Sequence, residues 1–175
     1  NGPIRTHGCY VTSASLKDPR NASHHAPAGV TNVEVMTVVP GTVERFGVKW
    51  HEAESWDYRK NATYRAIKEA LEEDMVGRLD ALFPGTKARV VFCESATPVS
   101  HVRYTGATDG TGYGIACTPD QFFDKRPSYR TPLQGLYLAG ASTRAGHGIV
   151  GAMSSGKNAA LRVEKDLGAA ARARA

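Results

Sequence analysis

In the N-terminal part of the chain, apolar residues alternate with polar ones, which is the pattern of β-strands. Residues 7–15 alternate loosely, and residues 33–39 place valine or threonine at every second position before Pro40. The segment between them, residues 16–29, is rich in Pro, Asn, Ser and His, which favours a loop. The pattern therefore predicts two strands joined by a loop.

From residue 55 to residue 82 the apolar spacing becomes that of an α-helix. Apolar side chains recur every three or four positions, at Ile67, Leu71, Met75, Leu79 and Leu82. Ser55 is predicted to cap this helix and Pro84 to stop it. The stripe indicates packing against the protein core, with a groove on a partner protein as the alternative.

The C-terminal half contains two further predicted strands and one long helix. Residues 87–95 and Leu136–Ala139 are short runs of strand-forming residues. After a glycine-rich connection, a helix is predicted to begin near Val150 or Gly151. Its apolar side is narrow and consists mainly of small residues, namely Ala152, Ala160, Val163 and Leu167. Such a side is expected where a helix packs closely on a sheet.

Composition and charge exclude several classes of protein. The 175 residues are 41% hydrophobic and 22% charged, which is ordinary for a soluble globular protein. No apolar run approaches the ~20 residues that a membrane-spanning helix requires. The net charge of +5 comes from scattered basic residues without interleaved aromatic ones. We therefore expect no nucleic-acid binding and no transmembrane segment.

The cysteines and histidines do not form the spacing of a metal site. Cys9, Cys93 and Cys117 lie far apart and contain no C-x-x-C pair, which argues against structural zinc and disulfides. His24 and His25 have no third ligand at ligand spacing, so no metal site is predicted. Free cysteines indicate a reducing compartment, which predicts a cytoplasmic protein and leaves open a peripheral contact with a membrane surface.

A near-match to the phosphate-binding loop of nucleotide triphosphatases occurs at the start of the last helix. Gly151 is followed by Gly156 and Lys157, but Asn158 stands where Ser or Thr should hold magnesium. Nineteen residues follow Gly156, which are too few for the further strands of that fold, so we expect the match to be coincidental. What remains is a helix N-terminus after a glycine-rich turn, which favours an electron-rich or anionic group.

The run GLYLAGASTRAGHGIVGAMSSGKNAA, residues 135–160, resembles the C-terminal signature of FAD-dependent oxidoreductases of the phytoene desaturase and carotenoid isomerase type. These enzymes are related more distantly to amine oxidases. Residues 15–41 and 96–114 resemble other parts of the same family more loosely. The family's prolines are replaced by Ala145 and Val150, and both changes loosen a turn that proline would fix.

The resemblance implies a mixed α+β fold that is incomplete within this chain. Residues 1–130 would form part of the substrate-binding domain, a mostly antiparallel sheet covered by the helical region 55–82. Residues 131–168 would supply the last strand and helix of an FAD-binding Rossmann-like domain, and residues 169–175 a frayed tail. The G-x-G-x-x-G motif that grips the FAD pyrophosphate in this family is absent. The chain therefore resembles the C-terminal portion of such an enzyme, whose partner would be the missing N-terminal half.

The same resemblance implies which residues contact the cofactor. Those expected at the ribityl and pyrophosphate region are Gly140, Ala141 and Ser142. Those expected at or near the flavin ring are Gly148, Ile149, Val150, Gly151 and Met153. No catalytic residue can be identified; His147 is the one candidate, because it lies among these glycines and histidine is a common general acid or base in enzymes.

The implied function is desaturation, oxidation or isomerisation of a small apolar, isoprenoid-like substrate by the intact enzyme. Alone, the chain is expected to be inactive and to bind FAD weakly or not at all. Two alternatives stay open: an amine oxidase-like flavoprotein and a non-catalytic binding module made of the substrate domain.

Overall fold

The computed structural model describes Ile4, Thr6 and residues 8–39, 41–116 and 118–172. Pro40, which was expected to end the second strand, and Cys117 lie outside these residues. The chain divides into two compact units, Asn1–Gly110 and Thr111–Ala175. The division of function expected at residue 131 is a different boundary and stays a prediction.

The first unit contains a two-stranded antiparallel sheet, formed by β1 (Cys9–Thr12) and β2 (Glu34–Thr37). Cys9 lies opposite Thr37 and Thr12 opposite Glu34. Both predicted strands are thus confirmed, although each is shorter than its alternating run. Within the described residues this pair is the whole of the regular sheet, so the expected larger sheet is wrong in extent.

Short helices occupy the segment between the strands, where a loop was expected. They are α1 (Ala14–Lys17), a 3-10 turn at Pro19–Asn21 and α2 (Ala22–His25). Ser13 caps α1, since its hydroxyl accepts a hydrogen bond from the Leu16 amide at 3.3 Å. The Asn32 side chain accepts from the Ala14 amide at 3.1 Å, which fixes this segment against the start of β2.

The remaining helices of the first unit surround its core. They are α3 (Trp50–Ala53), α4 (Ala62–Leu82) and α5 (Pro98–Thr105), with 3-10 turns at Val43–Phe46, Asp57–Lys60, Lys87–Arg89 and Thr108–Gly110. Ser55 does not cap α4, contrary to expectation. Asn61 does, because its side chain accepts from the Tyr64 amide at 3.1 Å. The helix ends at Leu82, directly before the predicted stop.

The core of the first unit consists of side chains from the 3-10 turns and from α3, α4 and α5. Its buried members are Val43, Phe46, Val48, Ala53, Tyr58, Tyr64, Val99 and Val102. Ile67 and Leu71 of the predicted stripe pack against this cluster, which supports core packing rather than a partner groove. The helix packs on the 3-10 turns that flank it, rather than covering an extended sheet as expected.

The strand expected at residues 87–95 is also wrong. Lys87–Arg89 forms a 3-10 turn, and the strand-forming residues after it adopt no regular structure. Val91 and Phe92 are exposed. A strand exists only where a neighbouring strand takes up its backbone hydrogen bonds, and no described segment does so here.

The described residues contain no helix with the length and apolar character that crossing a membrane would require.

Replacement of Phe46 by alanine should lower the free energy of unfolding of the first unit by about 3–5 kcal/mol, because Phe46 is fully buried and its removal leaves a cavity. Both tryptophans, Trp50 and Trp56, lie in this unit, so their fluorescence during urea denaturation reports its unfolding. Phe92→Ala is the matched control, since Phe92 is 78% exposed and should change stability by less than about 0.5 kcal/mol. Equal effects of the two substitutions would contradict this description of the core.

Candidate functional site

The second unit begins its candidate site with a short pairing between residues 129 and 138. Arg130 and Tyr137 form an isolated antiparallel bridge, and the Leu138 amide donates to the Tyr129 carbonyl at 2.9 Å. The predicted strand Leu136–Ala139 is therefore reduced to a single bridge. A run of this kind becomes a strand only when other strands flank it, and the described residues provide no such neighbour.

This pairing is attached to the long helix α6 (Gly148–Arg172) by a charged cluster. Arg130 Nε donates to Asp166 Oδ2 at 2.8 Å, and the Tyr137 hydroxyl donates to the same oxygen at 2.8 Å. These two hydrogen bonds, that of Arg130 first, lower the pKa of Asp166 below its ordinary value. The carboxylate therefore stays ionised at neutral pH, and this attachment weakens only as the pH falls through the lowered pKa.

A turn at residues 140–147 connects the bridge to α6. The carbonyl of Gly140 accepts hydrogen bonds from the Thr143 amide at 3.2 Å and from the Thr143 hydroxyl at 2.9 Å. The hydroxyl of Ser155, on the second turn of α6, accepts from the Gly140 amide at 2.8 Å and lies 2.6 Å from the Thr143 hydroxyl. Thr143 and Ser155 are both buried, so this small network holds the turn against the helix.

The helix begins earlier than expected, at Gly148 rather than at Val150 or Gly151. Gly146 and Gly148 have φ of +83° and +77°, a region that residues with a Cβ rarely adopt, and this lets the chain turn directly into the helix. A Cβ on Gly151 would lie 2.6 Å from the Gly146 carbonyl oxygen. Gly151 is thus needed because the turn packs against the first turn of α6. At its other end the helix extends to Arg172, and residues 173–175 of the predicted tail lie outside the described residues.

Apolar side chains project from the start of α6 without being covered. Ile149, Val150 and Met153 are 81%, 77% and 71% exposed. The His147 ring lies beside them in sequence and packs on Tyr113, with ring centroids 4.8 Å apart. The first helical N–H groups have no intrahelical partners, so an apolar surface here adjoins a positively polarised helix end.

Ala141 and Ser142 are engaged with other parts of the second unit. The Ala141 carbonyl accepts from Arg126, and the Ser142 hydroxyl accepts from the Ile115 amide at 3.4 Å and contacts Gly114. The structure thus brings all eight expected cofactor residues into one turn and the first turns of one helix. Whether each of them contacts a cofactor stays a prediction.

Arg126 is a structural residue that the sequence pattern did not reveal. Its buried guanidinium donates to the carbonyls of Ile115, Gln121 and Ala141 at 2.8, 3.0 and 2.6 Å. It therefore joins three separate stretches of backbone beneath the turn. Neither apolar periodicity nor motif spacing marks such an arginine, because its partners are carbonyl groups that every residue type possesses.

The described residues form no metal site and no activated cysteine. No three or more His, Cys, Asp or Glu side chains among them are grouped so that they could hold a metal ion. Cys93 is exposed, rather than buried in a strand. Partial desolvation, followed by the nearby Glu72, raises the pKa of its thiol, which keeps it protonated and poorly nucleophilic.

The turn and helix start fit the flavin that the sequence resemblance implies. The Cα positions of Gly140, Gly146 and Gly148 face open space, since a Cβ on any of them would meet nothing within 4 Å. A flat ring could therefore approach the backbone at these positions. The uncovered Ile149 and Val150 would contact the faces or edges of such a ring, and the helix N-terminus favours negative charge beside it.

Comparison with known proteins identifies relatives along most of the chain. The family described as flavin containing amine oxidoreductase matches residues 23–163. Prolycopene isomerase of Daucus carota is 35% identical over 118 residues, covering 66% of this chain and 19% of the relative. Prolycopene isomerase 2 of an Oncidium hybrid cultivar is 33% identical over 116 residues, covering 66% and 20%. The pyridine nucleotide-disulfide oxidoreductase domain-containing protein 2 of Rattus norvegicus is 34% identical over 117 residues, covering 64% and 19%.

The chain spans about a fifth of the length of the curated relatives it matches. No solved structure matches it significantly.

Gly151→Ala should destabilise the second unit by about 1–3 kcal/mol, because the new methyl group would overlap the Gly146 carbonyl and backbone would have to shift. Gly156→Ala, five residues further along the helix, is the control. Nothing lies within 4 Å of its Cβ position, so it should stabilise the helix by up to about 1 kcal/mol. Urea denaturation followed by far-ultraviolet circular dichroism measures both. The turn does not pack on α6 as described if the two variants shift in the same direction.

Ser155→Ala should cost about 1–3 kcal/mol locally, because it leaves the Gly140 amide without its acceptor. Hydrogen exchange of residues 140–147 should accelerate correspondingly. Ser154→Ala is matched in chemistry and neighbouring in position, but the Ser154 side chain is exposed and should leave exchange unchanged. Unaltered exchange in the Ser155 variant would show that the hydroxyl does not hold the turn.

Proposed function

Because this chain belongs to the flavin containing amine oxidoreductase family, we propose that it is the C-terminal portion of an FAD-dependent enzyme acting on an apolar, isoprenoid-like substrate. Within the family, its likeness to the plant prolycopene isomerases supports the carotenoid isomerase and desaturase type. FAD is the cofactor that the family assignment gives to the intact protein. The reaction we propose is desaturation, oxidation or isomerisation.

The observation that carries this proposal is the glycine turn held onto the start of α6. The Ser155 and Thr143 hydroxyls fix the turn, and the bare backbone of Gly140 and Gly148 faces open space beside it. A fixed strip of backbone next to a helix N-terminus is suited to a flat cofactor, since it need not reorganise when the ring binds. The chain provides such a strip in its most family-like segment.

Each part of the site would contribute differently once FAD is bound. The cofactor itself would supply the two-electron chemistry. Ile149, Val150 and Met153 would cover the ring and exclude water. The N-terminus of α6 would stabilise negative charge in front of it by roughly 0.3–1 kcal/mol. Since ~1.4 kcal/mol corresponds to about 30 mV for a two-electron couple, the helix would raise the flavin potential by tens of millivolts at most.

We propose that the pyrophosphate of FAD is gripped outside this chain, by the N-terminal half that the relatives' greater length accommodates. The chain alone should then bind flavin weakly and be inactive. An amine oxidase-like enzyme is the second candidate, because the family description itself names amine oxidoreductases. The two differ in substrate: a poly-cis carotenoid should turn over with the first and a primary or secondary amine with the second.

A flavin test can be made on the full-length protein. It should purify with FAD, visible in its absorption spectrum, and Val150→Glu should lower the two-electron reduction potential by tens of millivolts, because a carboxylate would then face the reduced ring. Leu167→Glu introduces the same charge at an exposed apolar position further along α6 and should leave the potential unchanged.

Two results would contradict the proposal. One is tight stoichiometric FAD binding by the isolated 175-residue chain, which would mean that no further grip is needed. The other is a full-length protein that purifies without FAD, or one whose flavin reduction potential is the same with and without Val150→Glu.

A further inference from the structure

The Thr111–Ala175 unit also contains a cavity. It lies between the turn at residues 140–147 and the 3-10 turn Phe123–Lys125. Its volume is about 210 Å³, and it is lined by Phe122, Phe123, Arg126, Arg144 and residues 145–147. Among the described residues, two arginines contribute to the lining and no carboxylate does. The cavity therefore combines positive charge with aromatic walls.

Arg144 supplies a cationic group that forms no ion pair with the described residues. Its Nε donates a long hydrogen bond, 3.5 Å, to the Arg126 carbonyl. Its two terminal nitrogens have no hydrogen-bond or ion-pair partner among the described residues. A guanidinium presents its donors as a planar fork that matches the two oxygens of a carboxylate. The Nε contact orients this fork while leaving its end available.

Arg126 contributes a positive charge with a fixed position to the lining of the cavity. Its guanidinium is buried and donates to three backbone carbonyls, so it cannot swing out into solvent. The same hydrogen bonds mean that its role towards a ligand is mainly that of a stationary charge. A buried charge of this kind favours an anion nearby more strongly than a solvated one would.

The walls of the cavity are two neighbouring phenylalanines. Phe122 and Phe123 meet edge to face, with ring centroids 4.3 Å apart. Phe123 has φ of +49°, which is unusual for a residue with a Cβ, and its side chain is largely exposed. Uncovered aromatic rings of this kind offer apolar surface to a ligand.

We propose that this cavity binds the carboxylate end of an amphiphilic ligand, with Arg144 pairing with the carboxylate and Phe122 and Phe123 contacting the adjoining apolar part. The volume admits a head group and roughly one ring, so the rest of a longer ligand would extend outside. This binding does not rest on the proposed function, whose substrate is apolar.

Calorimetric titration of the full-length protein with 4-phenylbutyrate and with the uncharged 4-phenylbutan-1-ol tests the proposal. The acid should bind at least about tenfold more tightly than the alcohol, which corresponds to ~1.4 kcal/mol. Arg144→Gln should abolish this preference, and Arg144→Lys should retain part of it, since lysine keeps the charge but not the fork. Phe122→Ala should weaken both ligands alike.

The matched control is Arg20→Gln, which removes the same charge from an exposed arginine of the other unit and should leave the preference intact. The proposal is overturned if the wild-type protein binds acid and alcohol equally, if Arg20→Gln and Arg144→Gln act equally, or if inorganic phosphate binds this site while 4-phenylbutyrate does not. The FAD content of each sample separates the two proposals. An acid preference in a protein that holds no flavin would support the cavity site and refute the flavoenzyme.

Discussion

The Ser155 hydroxyl connects the two parts of the candidate site. It takes up the amide hydrogen of Gly140 and lies against the Thr143 hydroxyl, and it is fully buried, so water cannot substitute for either contact. A polar group in that position must keep its partners, because leaving one unsatisfied in the interior is costly. These contacts therefore fix the glycine turn against α6. The backbone that the site presents to a ligand depends on that placement.

Two further restraints act on the same turn from other directions. Gly151 lets the Gly146 carbonyl approach α6 closely, and Arg126 holds the Ala141 carbonyl from below. All three restraints act on backbone atoms of residues 140–146, and none uses the apolar side chains at the helix start. The scaffold of the turn and the surface it presents are thus separate, so the exposed side chains can vary without the turn being lost.

The sequence predicted local features well and non-local ones poorly. Alternation located β1 and β2, and the apolar stripe located α4, because burial on one side imposes a period on neighbouring residues.

The predicted cap of α4 was wrong because both Ser55 and Asn61 are residue types that cap helices well. Only the preceding 3-10 turn at Asp57–Lys60 decides between them. The run 87–95 has the composition of a strand but no pairing partner among the described residues, and Leu136–Ala139 forms a single bridge, because pairing cannot be determined from one segment. Within the site, the glycine-rich signature predicted the position of the turn. No sequence pattern marks Arg126, because its acceptors are backbone carbonyl groups, which every residue possesses.

The uncovered side chains at the start of α6 and the cationic donors of Arg144 are suited to two different ligands. Ile149, Val150 and Met153 expose contiguous apolar surface at a helix end that favours electron-rich groups, while Arg144 offers cationic donors beside exposed Phe123. The helix start is suited to a flat ring that becomes negatively charged when it accepts electrons. The surroundings of Arg144 are suited to an acid with an apolar body. The turn at residues 140–147 leads into the start of α6 and contributes residues 145–147 to the lining of the cavity, and the hydrogen bonds of Ser155 hold it to the helix. A ligand in the cavity and a ring at the helix start would therefore both lie against this stretch of backbone, so the hydrogen bonds that fix the turn would also fix the distance between the two ligands.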